Sequence, residues 1–362
     1  MKICVLGTRG FPLIQGGVEK HCESLYTEFP AEYRFVIFRR KPYVRVTPSY
    51  PNITFIDLPS TKIKGFEAVY HSFLSTCRAV LSRPDIVHIH NIGPALFSPL
   101  LKLCGIKVVL TYHSPNYEHK KWGWGVRTLL KWSEKIALRM SDAVIFVNKF
   151  QLEKYDERTR SKSYYIPNGI PRITPATQQN YIRELGLTPG KYVLGVGRIT
   201  PEKGFDCLEK AFAGVDTDYK LVIAGGVETE SAYLDELKSI LPPEKIVFTG
   251  YVYGEKLNQL YTHAGLYVLS SYNEGFPLVL LEAMSYRLPV IVSDIPANLE
   301  VGLEKEAYFP VGDIAALAQK LQQNIDAPYR QKEYPMEKYD WDAIAGQTAA
   351  VYEKCAKPRP ER

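Results

Sequence analysis

Two carboxylates, Glu274 and Glu282, bracket the otherwise apolar stretch "NEGFPLVLLEAM", and two cations, Arg198 and Lys203, bracket the turn "RITPEK" earlier in the chain. Cations at the ends of a short turn can grip a diphosphate, Arg as a bidentate fork and Lys as a point charge. The same pair also fits an ordinary solvated turn. Pro277 suits the first turn of a helix, so Gly275, Phe276 and Leu278 would present unpaired N–H groups where the helix dipole favours an anion. A phosphate repels an ionised carboxylate, which assigns Glu274 to the hydroxyl groups of an attached sugar. Glu282 falls about a turn and a half into the helix. Helical side chains lean back towards the N-terminus, so its carboxylate can reach the same ligand, where two ribose hydroxyls would partner it. The alternative places Glu282 on the exposed stripe of an amphipathic helix.

These residues need rigid elements to hold them. Short β-branched runs alternate with helix-length segments, the pattern of βαβ units and parallel sheets. The first half offers "KICVLG", "RFVIF", "ITFIDL", "DIVHIH", "KVVLTY", "AVIFV" and "SYYIP" as strands, with helices over 17–29, 66–81, 94–103 and 126–140. The turn-rich "PNGIPRITPATQQN" interrupts the alternation and reads as a linker. The pattern restarts with "YVLGVG", "KLVIAG", "KIVFTG", "LYVLSS" and "PVIVSD", and a terminal helix is expected over 341–355. Each half is therefore a doubly wound α/β unit, and ligands of such sheets bind beyond the carboxyl ends of the strands.

The chain has 362 residues, enough for two cores, with 46% hydrophobic and 23% charged residues, an ordinary globular balance. Cys4, Cys22, Cys77, Cys104, Cys207 and Cys355 form neither a disulfide framework nor a zinc-finger spacing, and a reducing cytoplasm suits them. The apolar start "MKICVLG" is short for a signal peptide or a membrane span and reads as a buried strand. A net charge of +6 favours anionic partners. No nucleic-acid signature accompanies it, so nucleic acid is not expected as a partner. No histidine or cysteine group has metal-ligand spacing, and no metal is expected.

The E-x7-E of Glu274 and Glu282, downstream of the R-x4-K of Arg198 and Lys203, resembles the retaining family-4 glycosyltransferases of the GT-B fold. The resemblance covers nearly the whole chain. It implies two doubly wound, Rossmann-like α/β domains facing across a cleft: residues 1–170 on the acceptor side and 171–335 binding a nucleotide sugar. Residues 336–362 would form a C-terminal helix able to pack back on the N-terminal domain. In "LGTRGFPLIQGGVEKH", Gly16 and Gly17 look like the family's glycine loop beside the donor pyrophosphate, although a lone Gly-Gly also makes an ordinary tight turn. His113, in "LTYHSP", matches the family's histidine near the reacting sugar; from the residues alone it is a capping or core histidine. Val252 and Tyr253 would meet the base, largely through backbone groups.

His88 and His90 alternate with apolar residues and read as divided between strand end and loop, with His90 and Asn91 able to reach the acceptor. Pro171 stands in "PNGIP" where many relatives carry an aspartate, which leaves Asn168 outside the expected site. The implied reaction moves a hexosyl group from a nucleotide diphosphate donor, UDP-linked, to an acceptor hydroxyl, with anomeric configuration retained and without cofactor or metal. A front-face mechanism is implied, in which the leaving phosphate helps deprotonate the acceptor. The relatives point to a lipid-linked glycan acceptor in bacterial polysaccharide synthesis. A non-hydrolysing nucleotide-sugar 2-epimerase and a catalytically silent sugar-nucleotide-binding subunit are the rival readings.

Arg127, Lys131, Lys135 and Arg139 recur at intervals of four, which lines them along one side of a helix, with Leu130 and Trp132 off that stripe. With Trp122 and Trp124 flanking it, such a helix can lie on an anionic membrane surface, consistent with an enzyme peripheral at the inner face. It can equally be a solvated helix packed on the sheet by its other side.

Overall fold

The computed structural model describes every residue except 15, 62, 64, 65, 116, 118–122, 171, 172, 228–231, 329 and 357–362. The chain divides into two compact units, Met1–Gly169 with Glu337–Arg362, and Ile170–Met336. Trp122 and Pro171 lie outside the described residues.

In the first unit seven parallel strands form one sheet: β1 (Lys2–Leu6), β2 (Arg34–Arg40), β3 (Ile53–Leu58), β4 (Ile86–His90), β5 (Lys107–Tyr112), β6 (Ala143–Phe146) and β7 (Ser163–Tyr165). Their order is β3-β2-β1-β4-β5-β6-β7, so the winding reverses between β1 and β4. After Lys2, strand β1 is apolar because both sheet faces are covered. Ile3 and Val5 join one core cluster, and Cys4 and Leu6 join the other, as the two-residue period of a strand requires. Helix Trp341–Ala356 belongs to this unit: Trp341, Ile344, Val351 and Tyr352 pack into the cluster that contains Ile3, Tyr26 and Phe35.

The second unit holds β8 (Tyr192–Val196), β9 (Lys220–Ala224), β10 (Ile246–Gly250), β11 (Leu266–Leu269), β12 (Val290–Ser293) and β13 (Tyr308–Phe309). All are parallel, in the order β10-β9-β8-β11-β12-β13, and the winding reverses between β8 and β11. The loops that follow β8 and β11 therefore flank the topological switch point, where such sheets hold ligands. These loops carry Arg198, Lys203 and Glu274.

Helix Phe205–Ala213 contains a fully buried acid, Glu209, whose two carboxylate oxygens have no partner among the described residues. Burial, with Asp206 adding repulsion, pushes its pKa from 4.5 up to about 8. The folded chain therefore keeps Glu209 protonated at a pH where the unfolded chain has ionised it. Stability is full below about pH 4.5 and falls as pH rises towards 8, a loss on the order of a few kcal/mol. Glu209→Gln is expected to leave the melting temperature near that of the native chain in acid and to raise it by several degrees at alkaline pH. Thermal melts of both proteins across that range check this, and a constant difference would contradict it.

Candidate functional site

The loops after β8 and β11 are tied together by backbone. The N–H of Tyr272 donates to the Glu202 carbonyl at 2.8 Å, and Ser270 Oγ donates to the Lys203 carbonyl at 3.1 Å. Gly204, at φ 64°, turns the chain from the Pro201–Lys203 turn into helix Phe205–Ala213, and a Cβ there would overlap the Ser270 carbonyl oxygen. Only glycine permits both the left-handed conformation and that close approach.

The stitching brings Lys203 Nζ to 2.5 Å from Glu274 Oε1, and Ser271 Oγ donates to the same oxygen at 2.7 Å. The pair is largely shielded, with the two side chains 17% and 11% exposed. Sequence reasoning gave these residues separate partners, phosphate and sugar. In the structure each is the other's partner. Arg198 is exposed at the other end of the turn, directly after β8.

Glu282 is buried, and the Tyr261 hydroxyl donates to its Oε2 at 3.0 Å. The exposed-stripe reading is thereby corrected: Leu280 to Met284 are all buried, so this helix has no solvated stripe on which a carboxylate could rest. Tyr261, stacked on Tyr286 with centroids 5.0 Å apart, comes from helix Glu255–His263 and carried no sequence signal linking it to Glu282. The helix start is also corrected. Pro277, at ψ 86°, precedes helix Leu278–Ser285 rather than forming its first turn, and the Leu278 N–H donates to the Phe276 carbonyl at 3.1 Å. Gly275 and Phe276 lie in the loop ahead of it. Val252 and the exposed Tyr253 follow β10, between Gly250 and Gly254, which have φ of 67° and 59°.

In the first unit, Gly16 (φ 149°, ψ 148°) precedes Gly17, the first residue of helix Gly17–Thr27. That conformation is essentially restricted to glycine. The Glu19 carboxylate packs where a Gly16 Cβ would project, and it accepts the Arg9 N–H at 3.1 Å. Sequence reasoning missed this acid in the loop it assigned to a pyrophosphate.

His88 and His90 are both in β4 and both fully buried, not divided between strand and loop. A two-residue spacing in a strand puts them on one face, and Tyr26 OH lies 2.9 Å from His88 Nδ1 and 2.7 Å from His90 Nε2. His88 also meets Tyr352 OH at 2.6 Å and Thr111 Oγ1 at 2.7 Å. His90 Nδ1 is 3.0 Å from Nε2 of His113, the residue after β5. Both His90 nitrogens are thus engaged inside the protein, and neither is left for an acceptor. Asn91, at φ 74°, donates its N–H to the Thr111 carbonyl at 3.0 Å.

His21 joins the group, its ring edge-on to His113 at 4.8 Å between centroids and its Nδ1 2.6 Å from Asn168 Oδ1. Asn168, which sequence reasoning set aside, is thus part of this cluster. Burial lowers the pKa of His21 to about 4 and of His88 to about 3, and it drives His90 and His113 well down, with neighbouring histidines adding to the shift in the last three. The cluster is neutral at physiological pH. Spacing along the sequence suggested no metal-ligand group. Folding gathers His21, His90 and His113 so that one ligand atom of each lies within 4.8 Å of the others.

Helix Trp124–Met140 buries Ser133, Glu134, Ala137 and Leu138. Lys131, Lys135 and Arg139 are exposed and Arg127 is half-buried. Trp124 and Trp132 are 84% and 66% exposed. Among the described residues, no helix is long and apolar enough to cross a membrane.

Two parallel, doubly wound units, each with polar groups gathered at its switch point, have the architecture of the GT-B fold. Residues 15–172 match the model described as Glycosyltransferase Family 4 and residues 177–339 the model described as Glycosyl transferases group 1, and the chain belongs to this family of enzymes. It is 26% identical to an alpha-maltose-1-phosphate synthase of Mycolicibacterium smegmatis, over 74% of this chain and 79% of that protein. It is 27% identical to the phosphatidyl-myo-inositol mannosyltransferase of Mycobacterium leprae, over 95% of this chain and 94% of that protein. The solved structure of Anabaena HepE in complex with UDP-glucose superposes with a TM-score of 0.74 at 18% identity, covering 98% of each chain.

Proposed function

We propose that the chain transfers a hexosyl group from a UDP-linked donor to an acceptor hydroxyl with retention of anomeric configuration and without a metal. The observation that carries this is the Lys203–Glu274 pair, joined across the two loops at the switch point of the second unit. A donor diphosphate entering there offers Lys203 a stronger anion than one carboxylate and brings Arg198 to its second phosphate. Glu274, released from Lys203, accepts hydroxyl groups of the sugar. Cations held ready at the leaving diphosphate stabilise the charge that develops on it, and that phosphate takes the acceptor proton. Glu282, oriented by Tyr261, faces the ribose. Gly275 and Phe276 frame the phosphates, and Val252 and Tyr253 the base. The UDP-glucose complex of HepE supports the choice of nucleotide.

A panel of nucleotide sugars, each followed for its effect on thermal unfolding, tests this reading. At about a hundred times its Kd the true donor adds about 2.7 kcal/mol of stability. One UDP-sugar is expected to raise the melting temperature clearly above the rest; no protection by any nucleotide sugar would contradict the proposal.

For the acceptor we propose a lipid-linked glycan of a bacterial surface polysaccharide, met at the cytoplasmic membrane face. The mannosyltransferase relative, named for a phosphatidylinositol substrate, supports it, as does helix Trp124–Met140 with its exposed tryptophans beside Lys131, Lys135 and Arg139. Each basic residue near an anionic surface contributes about 1 kcal/mol. The double variant Lys131→Glu, Lys135→Glu, which reverses two such charges, is expected to weaken co-sedimentation with anionic vesicles at low salt at least tenfold. If the native chain itself stays in the supernatant, membrane docking by this helix is wrong.

A further inference from the structure

We propose that His21, His90 and His113 form a binding site for a late first-row divalent ion such as Zn²⁺, carried wholly by the first unit. The three residues come from separate elements, helix Gly17–Thr27, the end of β4 and the position after β5, and one ligand atom of each lies within 4.8 Å of the others.

His21 supplies the decisive observation. It is 4% exposed, and its Nε2 is buried with no partner among the described residues. Its Nδ1 is 2.6 Å from Asn168 Oδ1, an oxygen that only accepts, so Nδ1 carries the proton and Nε2 presents a lone pair. A buried polar atom left unpartnered is destabilising. A metal ion between the rings removes that cost.

The surrounding contacts are those of a ligand set. In histidine metal sites the ring nitrogen that does not bind metal is held by an outer hydrogen bond, which fixes the tautomer. Asn168 does this for His21, and Tyr26 OH, 2.7 Å from His90 Nε2, does it for His90. His90 Nδ1 and His113 Nε2 already approach to 3.0 Å with one proton between them. His90 and His113 would enter the site as neutral rings, each with its proton on the nitrogen turned away from the ion, so no proton need leave the protein. Metal–nitrogen bonds of about 2.0–2.1 Å in a tetrahedral site require roughly 3.3 Å between ligand atoms. The widest pair, at most 4.8 Å apart, closes to that by about 1.5 Å of ring movement. A fourth position remains for water. Three neutral imidazoles without a carboxylate favour zinc, copper or nickel over magnesium, calcium or manganese.

Calorimetric titration of ZnCl₂ into the chelator-stripped full chain tests the site without reference to sugar transfer. One equivalent is expected to bind with micromolar or tighter affinity, weakened at least tenfold in His21→Ala and in His113→Ala and unchanged in Cys104→Ser, which removes an exposed thiol. MgCl₂ should give no binding heat. Co²⁺ in place of zinc should give the visible bands of a four-coordinate nitrogen site, lost with His21→Ala. If His21→Ala does not fold, Asn168→Ala serves instead: losing the outer hydrogen bond should weaken zinc binding about tenfold. No zinc uptake by the native chain, or equal affinity in the native chain and these variants, overturns the proposal.

Discussion

Glu274→Gln is expected to lower turnover about a hundred- to a thousand-fold while UDP binds as tightly as before or more tightly. The two outcomes have one cause. Lys203 and Glu274 form a shielded ion pair at 2.5 Å, so the cation is held by a carboxylate that a diphosphate must displace. An amide of the same shape keeps a carbonyl oxygen for the Ser271 hydroxyl, now 2.7 Å from Glu274 Oε1, but lets go of much of Lys203. Charge-assisted hydrogen bonds are roughly twice as strong as neutral ones, so the amide is a weaker competitor than the carboxylate. The sugar loses a charged acceptor for its hydroxyl groups, and the reaction loses the donor orientation that acceptor enforced. Steady-state rates and calorimetry on the same preparation separate the two effects.

Arg198→Ala is expected to weaken UDP binding at least tenfold, and Lys203→Ala further still. Truncating one partner of a buried charged contact costs about 2–5 kcal/mol, and every 1.4 kcal/mol is tenfold in Kd. Arg198 is exposed in the loop after β8, and its removal forfeits the proposed diphosphate contact. Removing Lys203 also strands the Glu274 carboxylate, 11% exposed, beside the incoming phosphates, and like-charge repulsion adds to the loss. Part of each effect is long-range attraction and should shrink as salt is raised, because the screening length falls from about 10 Å at 0.1 M to about 3 Å at 1 M.

The doubly wound sheets were legible because their strands are covered on both faces: "CVL" in β1 or "VIV" in β12 leaves no polar position to place outward. Strand β13 was not legible, since Tyr308–Phe309 is two residues long and has no period to read. Arg198, Lys203, Glu274 and Glu282 stood out as charges at fixed spacing near strand ends. What they touch did not. Tyr261 reaches Glu282 from another helix, and the Lys203–Glu274 contact depends on Gly204 letting two loops close on each other. The histidine cluster was the least legible feature, because His21, His90, His113 and Asn168 meet only after β4 and β5 pair and helix Gly17–Thr27 packs against them. Local patterns report which face is buried; they do not report which polar groups share a buried space.

If Arg198 and Lys203 grip the diphosphate while Glu274 competes for Lys203 and serves the sugar, the most direct test is a single calorimetric series with UDP titrated into the native chain, Arg198→Ala and Glu274→Gln. The predicted result is a split: affinity falls at least tenfold in the arginine variant and holds or rises in the glutamine variant. Unchanged affinity in Arg198→Ala, or a large loss of UDP binding in Glu274→Gln, would contradict it.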